Sequence, residues 1–175
     1  MLETQRLVLR EFTRDDLDDL VELDSDPEVM FFITGGRPTP REEIEREVLP
    51  VFVAGGYWAA VEKSADEFLG WFHLRPAPGH RADEPELGYR LRRAVWRRGY
   101  ATEGCLALID FAFTELGARR VVAETMAVHS ASRRVMEKAG MSLVREFTAG
   151  WPDRIPGDEL GDVEYAITRE LWARG

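Results

Sequence analysis

The sequence predicts an α+β domain, one sheet covered by helices. Three observations carry this. Seven short runs are rich in β-branched and aromatic residues, and four stretches place apolar residues at helical spacing. Their order is strand, two helices, three strands, helix, strand, helix, two strands, with an antiparallel start rather than a regular strand–helix alternation.

The first strand is RLVLREF, residues 6–12. Thr13 precedes Asp16 by three positions, the spacing of a capping box with a shorter acid, and Leu17, Leu20 and Val21 continue as a first helix to about Asp24. An irregular stretch follows Asp26-Pro27 and contains MFFITGG. Thr39, Pro40 and Glu42 read as the start of a second helix, with Ile44, Val48, Val51 and Phe52 on its apolar face and Pro50 as a kink. YWAAVEK and EFLGWFHLR read as strands joined by a polar turn, and ELGYRL is the next strand after a Pro- and Gly-rich loop. A long helix carries Cys105, Leu106, Ile109, Phe113 and Leu116, with Gly117 as its left-handed cap. RRVVAETM is a strand, Ser130 reads as the cap of a short helix ending at Gly140, and MSLVREF and DVEYAIT close the chain as strands.

The chain has 175 residues, 45% hydrophobic and 31% charged, which suits a single domain over 1–175. A formal charge of −9 argues against a nucleic-acid partner. No apolar run is long enough for a membrane span, and the charged start MLETQRLVLREF does not read as a signal peptide. With one cysteine, Cys105, no internal disulfide is available, and the expected setting is the cytoplasm. Monomer and homodimer both remain open.

The stretch WRRGYATEG, residues 96–104, inverts the local charge. Arg90, Arg92, Arg93, Arg97 and Arg98 gather around a Gly-containing turn that joins a strand to a helix start. Helix starts carry unpaired N–H groups and partial positive charge, so an anion site is expected there. Neither a Walker loop nor a dinucleotide fingerprint is present.

From ELGYRL through WRRGYATEG to LIDFAFTELGARRVVAETMAVHSASRRVMEKAGM, the chain resembles the GNAT superfamily of acetyl-CoA-dependent N-acetyltransferases. Within it the chain is most similar to the RimL/RimJ-like group that acetylates ribosomal-protein N-termini. The opening LETQRLVLREFTRDDLDDL, DPEVM, YWAAVEK and the closing DVEYAITRELW also match. The resemblance implies a mixed, mostly antiparallel sheet of about seven strands, acetyl-CoA as cosubstrate, a primary amine as acceptor and no metal. It places the coenzyme pyrophosphate on the backbone N–H groups of Arg98, Gly99, Tyr100, Ala101 and Thr102, with Arg97 also at the cofactor. The pantetheine arm lies along Leu91, Arg92 and Arg93, with His129, Ser132 and Arg133 also at the cofactor. Trp96 replaces the first Arg or Gln of the family loop, and His129 replaces its usual Asn, a change that introduces a titratable ring.

The resemblance also frames the chemistry. Glu86 opens the strand beside the acyl gap and is the candidate general base, directly or through water. The family's sulfur-protonating tyrosine aligns with Met136, so Ser132 is the candidate donor. Phe31, Phe32 and His73 are candidates for the acceptor side. His73 could relay protons, but it reads first as a satisfied sheet histidine. An α-amine, with a reference pKa of about 8 against roughly 10.4 for lysine, is the easier acceptor to deprotonate. The missing tyrosine leaves one alternative from another class, a coenzyme A-binding sensor or scaffold without catalysis.

Overall fold

One sheet organises the computed structural model, in which residues 1–150 and 154–175 are described. Among these residues it has eight strands: β1 (Leu2–Glu3), β2 (Leu7–Glu11), β3 (Tyr57–Glu62), β4 (Glu67–Arg75), β5 (Glu86–Leu91), β6 (Arg120–Met126), β7 (Ser142–Phe147) and β8 (Asp162–Thr168). They lie in the order β1-β2-β3-β4-β5-β6-β8-β7. Every neighbouring pair is antiparallel except β5 and β6, which are parallel. The α+β class and the mixed, mostly antiparallel sheet are therefore observed. The strand beyond the expected seven is β1, two residues folded back on β2 through the Thr4 hydroxyl, which accepts from Leu7 N–H at 2.9 Å. So short a strand has no periodicity to betray it.

The sheet separates two apolar layers. On one face Phe72, Leu87 and Leu91 pack with Val121, Val163 and Tyr165 beneath helices α5 (Tyr100–Thr114) and α6 (Ser130–Lys138). On the other face Tyr57, Ala59 and Trp71 pack beneath α1 (Leu17–Ser25) and a helical run over residues 41–54.

Local chemistry sets the helix starts. The capping box at Thr13 and Asp16 is present: the Asp16 carboxylate accepts from Thr13 N–H at 2.7 Å. Arg10 forks onto the same carboxylate at 2.7 and 3.0 Å. A short α2 (Phe31–Thr34) follows α1. The second long helix differs from expectation. Thr39 is no cap; its hydroxyl donates to Asp24 at 3.0 Å, and Pro40 holds the cap position without a side-chain bond. The run continues from α3 (Arg41–Glu43) through a π turn over Ile44–Val48 into α4 (Leu49–Ala54). Pro50 then falls in the first turn of α4, where a missing N–H breaks no bond. At α6 the cap is His129 rather than Ser130, with Nδ1 accepting from Ser132 N–H at 3.4 Å. A last short helix, α7 (Arg169–Trp172), ends the chain.

Gly104 fixes the distance between α5 and the sheet. A Cβ there would stand 2.2 Å from Cζ of Phe72, a ring that is wholly buried. Helix propensity favours alanine over glycine by about 1 kcal/mol, but overpacking costs about 1–3 kcal/mol. Gly104→Ala is therefore expected to lower the urea midpoint, and unchanged stability would mean that Phe72 moves aside freely.

Candidate active site

Strands β5 and β6 meet at a single residue pair, Glu86 with Val122, supported by Val122 N–H donating to Pro85 O at 3.0 Å. Beyond it they part. Each is held on its outer edge instead, β5 along its whole length to β4 and β6 along its whole length to β8. Arg92 N–H donates to Leu69 O at 2.7 Å, so the even-numbered peptide groups of β5 face β4. The odd-numbered N–H groups, those of Tyr89 and Leu91, face the fork. Of the expected trio Leu91, Arg92 and Arg93, only Leu91 turns its N–H toward the gap. The Leu91 carbonyl is taken by the Trp96 indole N–H at 2.9 Å, and Arg93 begins a 3₁₀ turn that leaves the strand.

The expected convergence of five arginines on an anion is not what the fold builds. Arg90 pairs with Asp24 at 2.6 Å, Arg92 with Asp19 and Glu22 at 3.2 Å each, and Arg93 with Glu28 at 2.7 Å and Asp26 at 3.4 Å. The acids belong to α1 and the loop after it, close in space but about seventy positions away in sequence. These three arginines clamp that segment over β5. Arg97 and Arg98 remain at the loop, without an ion-pair partner among the described residues.

The loop backbone is unusual. Arg97 has φ 60 and Gly99 φ 85, both left-handed, and Gly99 caps α5 with no side-chain bond. For arginine this conformation costs about 1–2 kcal/mol. The N–H groups of Tyr100, Ala101 and Thr102 therefore open the helix without intrahelical partners. Tyr100 itself is buried, with the guanidinium of Arg6 4.0 Å and that of Arg98 5.4 Å from its ring centre. The loop is pinned from behind. Glu103 accepts from Thr4 Oγ1 at 2.6 Å and from Arg6 N and Nε at 2.7 Å each, while Arg6 also donates to Arg98 O at 2.9 Å. Burial raises the Glu103 carboxyl, but these hydrogen bonds and the Arg6 charge outweigh it and hold the group below its ordinary value.

Glu86 stands at the vertex of the fork, half-buried. Burial pushes its carboxyl above the usual range, tempered by the charges of Arg75 and His80. Ser132, 8% exposed, lies in the first turn of α6, on the side of the sheet to which Tyr89 points. Tyr89 was not among the expected site residues. Its signal is in the strand alternation: an odd position on β5 sends its side chain to the α6 side. Met136 is buried in the core. His129 stacks on Phe32, ring centres 4.0 Å apart and 18° between planes, and Phe31 meets Phe32 edge-on at 4.9 Å. Burial drops the His129 pKa to about 4, so the ring does not titrate near neutrality as its bare chemistry suggested. Arg133 turns inward, donating to Tyr165 Oη at 3.1 Å and Ala127 O at 3.0 Å, not toward the fork.

His73 departs from both expectations. Its nitrogens are buried and have no hydrogen-bond partner, so it is neither satisfied nor wired into a relay. Burial first, then the charges of Arg75 and Arg90, lower its pKa to about 3. His80, Glu124 and Glu164 bring ligand-type atoms within 4.8 Å of one another. Arg145, at 2.9 Å from Glu164 and 3.7 Å from Glu124, already supplies the positive charge those carboxylates require.

Among the described residues no helix is long and apolar enough to cross a membrane. A family model for the acetyltransferase (GNAT) domain matches residues 6–142. An FsC-acetyl coenzyme A-N(2)-transacetylase of Aspergillus fumigatus is 37% identical over 99% of this chain and 78% of that protein. An uncharacterised N-acetyltransferase of Bacillus subtilis is 28% identical over 98% of both chains. Among solved structures, a GNAT-family acetyltransferase from Bacillus anthracis superposes with a TM-score of 0.82 at 24% identity, covering 97% of this chain and 98% of that one. An aminoglycoside acetyltransferase in complex with coenzyme A superposes with a TM-score of 0.77 at 19% identity, covering 96% and 98%. A sheet that forks beside a strained helix start thus has a lineage: this chain belongs to the GNAT family of acetyltransferases.

Proposed function

We propose that the protein moves an acetyl group from acetyl-CoA to a primary amine by direct attack in a ternary complex. One observation carries the reading: the inner edges of β5 and β6 are left unpaired next to a helix start whose N–H groups are free. A pantetheine arm, with its two amides, fits the fork as a strand would, on the N–H groups of Tyr89 and Leu91. A pyrophosphate fits the N–H groups of residues 98–102, with Arg97 and Arg98 alongside. Bound there, acetyl-CoA supplies an activated thioester at the vertex.

The chain's own residues then have few tasks. Glu86, held protonatable by burial, takes the proton of the attacking amine. A β5 N–H in the fork donates to the oxygen on which charge develops. Ser132, in the first turn of α6, offers a hydroxyl proton to the departing sulfur, a donor that Met136 cannot provide. With a serine as donor, the missing tyrosine does not by itself favour a sensor without catalysis. Phe31 and Phe32, over His129, wall the acceptor entrance.

Two lines bear on the acceptor. The motifs shared with the RimL/RimJ-like group favour a peptide α-amine, whereas the Aspergillus fumigatus relative is named for transfer to an N(2) nitrogen. Both are primary-amine acceptors within this reading.

Gly99→Val forces a β-branched residue into φ 85 and is expected to weaken coenzyme A binding by about tenfold or more in calorimetry; equal affinity would remove the loop from the site. Because burial raises the Glu86 pKa, kcat/KM of the parent is expected to fall on the acid side with a midpoint above an ordinary glutamate's value of about 4.3. In Glu86→Gln the rate drops by about 10²–10⁴-fold and that limb disappears. A parent-like profile in the variant would clear Glu86 of the role. Ser132→Ala is expected to lower kcat while coenzyme A affinity stays near the parent's, and an undiminished kcat would assign the sulfur's proton elsewhere.

A further inference from the structure

Four buried side-chain nitrogens without hydrogen-bond partners lie together around Gly88: Nδ1 and Nε2 of His73, Nε of Arg75 and Nε of Arg90. The register explains their meeting. His73 pairs with Gly88, Arg75 with Glu86 and Trp71 with Arg90, so His73, Arg75, Glu86 and Arg90 share the face of the sheet turned away from α5. The His73 ring leans across the strand. A Cβ on Gly88 would stand 2.5 Å from its Cε1 and 2.7 Å from its Nε2, so this edge of the imidazole overhangs Gly88 on the way to the fork. Trp71 stacks behind it at 5.8 Å and Tyr57 meets it edge-on at 5.4 Å. His73 is 8% exposed.

The charges around the patch are unequal. Arg90 has Asp24 at 2.6 Å. Arg75 has no carboxylate within ion-pair distance among the described residues; its guanidinium lies over the Tyr57 ring at 5.5 Å. A buried donor left unpaired costs about 1–3 kcal/mol. A donor-rich patch, holding a guanidinium that makes no close ion pair next to the Glu86 carboxylate, is complementary to an oxygen-bearing group that arrives together with an amine.

We propose that this patch holds a carbonyl or carboxylate oxygen on the carbon next to the acceptor's amine, so that the acceptor is an α-amino acid or an aminoacyl group rather than a simple alkylamine. The inference rests on the amine-acetylating reading above. Glu86 and Arg75 are directly opposed across β4 and β5, where Cβ atoms stand about 4.5–5.5 Å apart. A carboxylate for the nitrogen and a guanidinium for the oxygen therefore sit side by side, as the two groups do on an α-amino carbon. His73, neutral, adds a hydrogen bond without repelling either group.

Isopropylamine, alaninamide and alanine share a carbon frame and differ in the group beside the amine. Each is titrated into the protein, with and without coenzyme A, by ligand-detected NMR. Alanine, alaninamide or both are expected to bind about tenfold or more tighter than isopropylamine, the size of one charge-assisted hydrogen bond. A preference for alanine identifies a free carboxylate, and a preference for alaninamide alone identifies a carbonyl such as a peptide start carries. Arg75→Gln is expected to abolish the first preference and His73→Phe the second, with coenzyme A affinity unchanged in both. Equal affinities for the three compounds, failure of all three to bind included, overturn the inference, as does a preference that survives both substitutions. Failure of the acetyl-transfer reading is distinguishable: the binding preference persists while no acetyl-CoA is consumed with any of the three.

Discussion

The single parallel contact between Glu86 and Val122 is the constraint on which the site depends. A sheet continuous through β5 and β6 would close every peptide group on a neighbour and leave no room for an extended ligand. A sheet broken entirely would lose the alignment of its two halves. One bridge at the vertex avoids both. The outer ladders to β4 and β8 hold the arms apart, and helices α5 and α6 lie under the gap as a common floor. The inner peptide groups are thus presented in strand geometry with nothing of the chain's own to pair with, which is preorganisation in the backbone itself.

Two ionic devices keep this geometry from relaxing. Arg90, Arg92 and Arg93 fasten the acids of α1 and the following loop over β5. Arg6 and Glu103 fasten the strained turn at Arg97–Gly99 to the start of β2. Several of these pairs are partly exposed, and their worth singly is small. Collectively they join segments that the chain leaves far apart. They also explain how an acidic protein carries an arginine-rich stretch without becoming basic there: most of that charge is spent on its own structure.

Burial, more than charge, sets the protonation of the site. His73 and His129 are both driven neutral by it, and Glu86 is raised by it. One consequence is that His129 is a neutral ring stacked on Phe32 near neutral pH. Another is that the raised Glu86 carboxyl shares its face of the sheet with a histidine that stays neutral near neutral pH.

Much of the fold was legible because it is written locally. Alternating apolar residues marked seven of eight strands among the described residues, a capping box marked the entry to α1, and the strand–turn–helix around Gly99 marked the start of α5. Expectations failed where partners are distant or geometry competes. Thr39 gave its hydroxyl to Asp24 instead of capping a helix, Ser130 lost the cap to His129, and three arginines turned from a prospective phosphate to α1. Tyr89 and Arg75 drew no notice, and His73 read as satisfied rather than orphaned, since each matters only through what lies across the sheet. The sequence by itself determined the seven longer strands, the long helix and the turn that starts it, because periodicity, capping and turn preference act within a few residues. Only the tertiary structure decided where the sheet forks, which charges are consumed and which polar atoms are left without partners, because those follow from contacts between segments tens of residues apart.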